Sequence, residues 1–139
     1  MIYTSYFGNL KNILANSNDY VGLISIAGKT PHWFIGEKCH QLMPKYDWWK
    51  QWHDNFSSDL DSKESKAWYI DKYDATVLNK LDPNTMHNYI MDLCQGKIPI
   101  LFCYETPEKF CHRHLVAEWF CKHGIECIEW KNDTANCCV

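Results

Sequence analysis

The sequence predicts an α/β fold, a three-layer Rossmann-like domain with a mainly parallel sheet of about four strands and helices on both faces. Three observations carry this prediction. Short apolar runs rich in β-formers alternate with segments of helical periodicity, the order that builds βαβ units. Residues 98–103 form a nearly unbroken apolar run, as a strand covered on both faces requires. A helix-period segment and a final β-rich stretch then follow in the order of a crossover.

At 139 residues the chain has the length of one domain, expected over residues 1–130 with a polar, mobile tail over 131–139. Apolar residues at 46% and charged residues at 22% are ordinary for a globular protein, while aromatics at 15% are high. A net charge of −3 argues against a broad basic surface for nucleic acid, but leaves room for a small nucleotide or a local phosphate contact. The N-terminal residues lack the basic flank and apolar run of a signal peptide, and no apolar stretch is long enough to span a bilayer. The eight cysteines therefore read as free thiols in a reducing, cytoplasmic setting.

Taken in order, residues 2–7 alternate as a first strand, and Leu10, Ile13 and Leu14 supply the stripe of a short helix. Asn16, Ser17, Asn18 and Asp19 form the turn before a second strand over 20–27. The ending Gly28-Lys29-Thr30-Pro31 superficially matches the tail of a phosphate-binding loop. That motif needs glycine where Leu23 stands, and Pro31 sits where the helix would begin, so a βα turn using Gly28 for its backbone angles is preferred.

From residue 33 the chain is aromatic and irregular at first. Asp47 is placed to cap a helix carrying Trp48, Trp49, Trp52 and Phe56, with Trp48 and Trp49 about 100° apart and unequally buried. After a polar break at 57–62, residues 63–81 form a longer helix with Ala67, Trp68, Tyr73, Val77 and Leu78 near one side. Asp82-Pro83 starts the next helix, Met86, Ile90 and Leu93 line it, and Gly96 ends it. A strand over 98–103 leads through a proline-containing loop into a helix from about Cys111, with Leu115, Val116, Trp119 and Phe120 inward and Glu118 paired to Lys122 outward. Gly124 stops this helix before a last strand over 125–130.

The loop after residue 103 concentrates the chemistry. It holds Cys103, Glu105, Cys111, His112 and His114, together with Arg113, the only arginine in a chain with thirteen lysines. A guanidinium grips an oxyanion with two parallel hydrogen bonds, which an ammonium cannot copy. Arg113 at a helix start is therefore expected to bind an anionic ligand with the open backbone amides, assisted by His114 and, from the neighbouring loop, Gly28 and Lys29. Cys103 or Cys111 is the candidate thiolate, His112 or His114 the proton carrier and Glu105 the orienting group or acid/base. The strand-end cysteine and helix-start arginine are similar to those of thiol phosphatases and rhodaneses, but the nine residues between Cys103 and Arg113 exceed their loop.

Two plainer readings stand beside this one. Cys103, like Cys94, Cys121 and Cys127, has the character of a small buried hydrophobe, and Arg113 has Glu105 and Glu108 within reach as structural partners. The remaining histidines, His32, His40, His53, His87 and His123, are scattered and read as structural or solvated. Cys103, Cys111 and a histidine are ligand-type side chains, with Cys137 or Cys138 able to fold back. The absence of paired C-x-x-C knuckles supports zinc only weakly, so neither a metal nor another cofactor is assigned.

Cys103-Tyr104-Glu105 followed by Cys111-His112-Arg113, with the helix and strand that follow, resembles the domain-of-unknown-function 488 family. Tyr6-Phe7-Gly8, residues 24–27, Pro31 and Pro44 are similar to one of its branches, so the resemblance covers most of residues 1–130. It implies an α/β fold with its site at this motif and names no reaction. Many members carry Asp-x-Arg after the second strand, where this chain has Ser25, Ala27 and Gly28. The expectation is a protein binding a phosphorylated or nucleotide-like ligand, as an enzyme on a nucleotide or nucleobase, as a non-catalytic binder, or as a metal-binding structural domain.

Overall fold

A five-stranded sheet in the order β3-β2-β4-β1-β5 organises the chain, and every pairing in it is parallel. The computed structural model describes residues 1–17 and 20–132. The elements are β1 (Ile2–Tyr6), α1 (Leu10–Ser17), β2 (Val21–Ser25), β3 (Glu37–Lys38), α2 (Tyr46–Asn55), α3 (Lys63–Thr76), α4 (Pro83–Leu93), β4 (Ile98–Cys103), α5 (His112–Lys122) and β5 (Cys127–Glu129). The predicted α/β class holds. The sheet has one strand more than expected, because the two-residue β3 lies in the segment read as irregular.

Alternation along the strands sends side chains to two cores. On one face Ile2, Ile24 and Leu101 meet Tyr73 of α3, Met86 and Ile90 of α4, and Val116 and Phe120 of α5. On the other, Tyr3, Ile100 and Phe102 pack with Leu10 and Ile13 of α1. Helices thus cover both faces, as buried parallel strands require.

Local chemistry explains the element ends. Asp82 accepts a hydrogen bond from the Thr85 amide at 2.9 Å, and Pro83 occupies the first turn of α4. That helix is released through Gln95 and Gly96, both at positive φ. Ser62 caps α3 through the Ser65 amide.

Several expectations change. The N-cap of α2 is Lys45, and Asp47 lies in the first turn, its carboxylate accepting from the Trp48 amide at 2.9 Å. Trp48 is buried and Trp49 half-buried, the inequality that their angular separation required. The inner face of α3 consists of Ser65, Tyr69 and Tyr73, whereas Ala67 is exposed. Leu14 is exposed on α1 and Cys121 on α5. Gly28 is not at positive φ, so its turn does not depend on the conformational freedom of glycine. Ser17 is the last residue of α1 rather than part of the turn, while Asn18, Asp19 and most of the predicted tail lie outside the described residues. Among the described residues no helix is long and apolar enough to cross a membrane.

Candidate functional site

β2 and β4 are neighbours in the sheet, so the loops that leave their carboxyl ends run side by side. This is where parallel sheets gather ligands. The Tyr104 hydroxyl donates to the Lys29 carbonyl at 2.5 Å and ties one loop to the other. Behind them opens a cavity of about 470 Å³.

Its floor is made by Cys103 at the end of β4, Cys111 at the N-cap of α5, and His112 in the first turn of that helix. Cys111 has extended backbone, φ −156° and ψ 143°, which lets two consecutive residues present their side chains to one place. The ligand-type atoms of all three lie within 4.8 Å of one another. The His112 Nε2–H donates to the Ile26 carbonyl at 2.7 Å, leaving Nδ1 without that proton, and Cys103 Sγ lies beside the ring at 3.6 Å from Nδ1 and 3.9 Å from Nε2. Burial pulls the His112 pKa down and favours the neutral ring. Interaction with Cys103 lowers the Cys111 pKa against the cost of burial, helped by His112 and by the amide and guanidinium of Arg113. Cys103 moves the opposite way, pushed up by Cys111 and by its own burial. Two adjacent sulfurs cannot both carry charge at low cost, and the one at the helix start is favoured.

Aromatic rings form the walls. Trp52 is fixed by its indole N–H, which donates to the Ser65 hydroxyl at 2.9 Å, and it meets Tyr69 edge-on at 5.0 Å. Phe110 meets the other side of Tyr69 at 5.3 Å. Trp49 stacks on His53 with 5.3 Å between ring centres. Gly28, Lys29, His53, Tyr104 and Glu105 also line it, all of them exposed residues.

The structure therefore brings six predicted residues to one cavity: Gly28, Lys29, Cys103, Glu105, Cys111 and His112. Arg113 and His114 are not among its lining residues. Arg113 is 0% exposed; its Nε and Nη2 each donate to Glu129 at 3.1 Å and its Nη1 donates to the Glu105 carbonyl at 2.5 Å. The expected grip on a ligand oxyanion is replaced by a grip on Glu129. Burial would pull the guanidinium pKa down, but Glu129 turns the balance upward. Thr4 of β1 adds a hydrogen bond to the same carboxylate at 2.8 Å, so this network joins α5, β5 and β1 beneath the cavity. His114 donates to the Lys109 carbonyl at 3.2 Å. Glu108 accepts from Thr106 at 2.7 Å, so neither glutamate first considered provides the carboxylate partner of Arg113.

Sequence reasoning did not single out Trp52, Tyr69 or Phe110 as walls, and it missed His53. The i,i+4 spacing of Trp49 and His53 was a usable signal for the latter. Trp52, Tyr69 and Phe110 come from α2, α3 and the loop before α5, which only tertiary packing brings together.

Residues 29–124 match the model of DUF488-N3a, described as the active DUF488-N3 subclade. No curated protein and no solved structure matches the chain.

Proposed function

The chain belongs to the DUF488 family, and from that premise we propose that its cavity binds a planar, anionic, nucleotide-like ligand and acts on it as an enzyme. The observation that carries this reading is the cluster of Cys103, Cys111 and His112 at the floor of a cavity walled by aromatic rings. Its volume falls within the usual range for small-molecule sites. The base lies against Trp49, Trp52, Tyr69 or Phe110, where ring stacking contributes roughly 1–3 kcal/mol.

The anionic group is assigned to Lys29 and His53 at the mouth, because the guanidinium of Arg113 is engaged with Glu129. A group turned inward meets the sulfurs and His112, with Glu105 at the rim as the acid/base candidate. Nucleotides are favoured over bare inorganic anions because the lining offers much more ring surface than charge.

Titrating tryptophan fluorescence with AMP, GMP, CMP, UMP and inorganic phosphate tests the binding, with chromatography of the recovered nucleotide as the test of turnover. Quenching by at least one nucleotide, weakened by Lys29→Ala and by His53→Ala, is expected. Indifference to all five probes would refute the ligand class. Saturable quenching with the nucleotide recovered intact would replace the enzyme by a binding protein.

A further inference from the structure

We propose that Cys103, Cys111 and His112 form a zinc site whose fourth coordination position opens into the cavity. This inference deepens the functional reading above by naming what the cavity floor holds.

The geometry is close to that of a bound site. Tetrahedral zinc with Zn–S near 2.3 Å and Zn–N near 2.0–2.1 Å sets its sulfur and nitrogen ligands about 3.6 Å apart and its two sulfurs about 3.8 Å apart. Cys103 Sγ and His112 Nδ1 are 3.6 Å apart, and the third ligand atom, Cys111 Sγ, completes a group no wider than 4.8 Å. Because Cys103 Sγ sits beside the ring, 3.6 Å from Nδ1 and 3.9 Å from Nε2, binding requires the two cysteine side chains to turn toward the Nδ1 lone-pair axis while the Ile26 hydrogen bond holds the imidazole.

The imidazole is also presented as a ligand. Its Nε2–H is held by the Ile26 carbonyl at 2.7 Å, which fixes the tautomer and leaves Nδ1 as the ring's free donor atom, with Cys103 Sγ beside the ring at 3.6 Å from Nδ1 and 3.9 Å from Nε2. Metal-bound histidines characteristically donate their second ring N–H to such an outer partner. The three ligands stand on firm supports: the end of the central strand β4, the extended N-cap of α5 and the first turn of that helix.

Charge points the same way. Two sulfurs share a buried pocket, and the neighbouring guanidinium of Arg113 is committed to Glu129. A divalent ion relieves the repulsion between two thiolates and is matched by them. Two soft sulfurs and an imidazole select zinc over magnesium or calcium. Three protein ligands with an open position are the pattern of a reactive zinc centre, whereas closed structural sites use four. All three side chains line the cavity, so the free position faces the proposed ligand.

The test uses the full chain without a histidine tag, exchanged into chelator-free buffer with zinc. Elemental analysis is expected to find about one zinc per chain. Cobalt exchange is expected to give an intense thiolate-to-cobalt absorption band, lost in Cys103→Ser and in Cys111→Ser and kept in Cys121→Ser. Far-ultraviolet circular dichroism checks that the variants fold, and the wild-type zinc and cobalt measurements do not depend on them. A zinc-exchanged protein without stoichiometric metal, or a cobalt spectrum without the thiolate band, would overturn the site. Nucleotide quenching is measured separately on chelator-treated protein. Quenching without metal uptake removes only the zinc site; metal uptake without quenching by any nucleotide removes only the ligand reading.

Discussion

Replacing Glu129 by alanine strips Arg113 of its carboxylate while leaving the guanidinium inside the protein. In the native structure two N–H groups reach the carboxylate at 3.1 Å, and Thr4 supports it at 2.8 Å. Removing one partner of a buried pair typically costs 3–5 kcal/mol, because the remaining charge is neither solvated nor matched. The Glu129 side chain is 23% exposed, so some water reaches the vacated space and the lower end, about 3 kcal/mol, applies. An unfolding entropy of roughly 2.1 cal/mol/K per residue gives a chain of this length about 0.3 kcal/mol/K, so the melting temperature should fall by about 10 °C. Thermal unfolding followed by circular dichroism, with urea titration as the second measure, reads this directly. Glu129→Gln should fall between the two, and Arg113→Met with Glu129→Leu should recover most of the loss, because an apolar pair leaves no orphan charge. A Glu129→Ala protein within about 0.5 kcal/mol of the wild type would refute the reasoning, since it would mean that the guanidinium finds water readily. The same logic extends to Arg113→Lys: an ammonium cannot make both bonds to Glu129, so the loss should appear in stability.

Other perturbations probe separate parts of the structure. Gly22→Ala places a Cβ 2.1 Å from that of Cys94 and should cost roughly 1–3 kcal/mol, measured by urea unfolding; a neutral result would mean that α4 moves away easily. Asp82→Ala removes the cap of α4 and should lower stability by about 1 kcal/mol, while Asp82→Asn should retain most of it. Burial pushes the Cys39 thiol up to about 11 and the Cys127 thiol up to about 12, so each stays protonated in the folded state after it would ionise in the unfolded chain. Their contribution is fully present below pH 9 and is lost progressively as pH rises through 11 and 12. Replacing both by alanine should flatten the fall in stability over that window, and an unchanged slope would contradict the assignment.

The sequence made the strand and helix around the chemical loop legible because their signals are local. Apolar continuity over residues 98–103 and the helical stripe of Val116, Trp119 and Phe120 depend on neighbours a few positions away. Asp82-Pro83 was legible for the same reason. β3 left no such trace: two exposed residues, Glu37 and Lys38, have neither alternation nor length to announce a strand. Arg113 lies next to the cavity-lining Cys111 and His112, yet its partner could not be chosen from proximity along the chain. Glu105 and Glu108 were near in sequence, whereas Glu129 arrives by the parallel pairing of β5 with β1, which sets it beside Thr4. The cavity walls were hidden similarly, since nothing in the order of residues says that Trp52, Tyr69 and Phe110 will share one space.

The two outer strands are stubs, β3 of two residues and β5 of three. Each offers a newcomer too few free amides and carbonyls to template a continuing ladder, so the sheet is blunted against growth into fibres from either margin. Copies of the protein that associate would therefore do so through side chains on their faces, leaving the backbone rungs uninvolved.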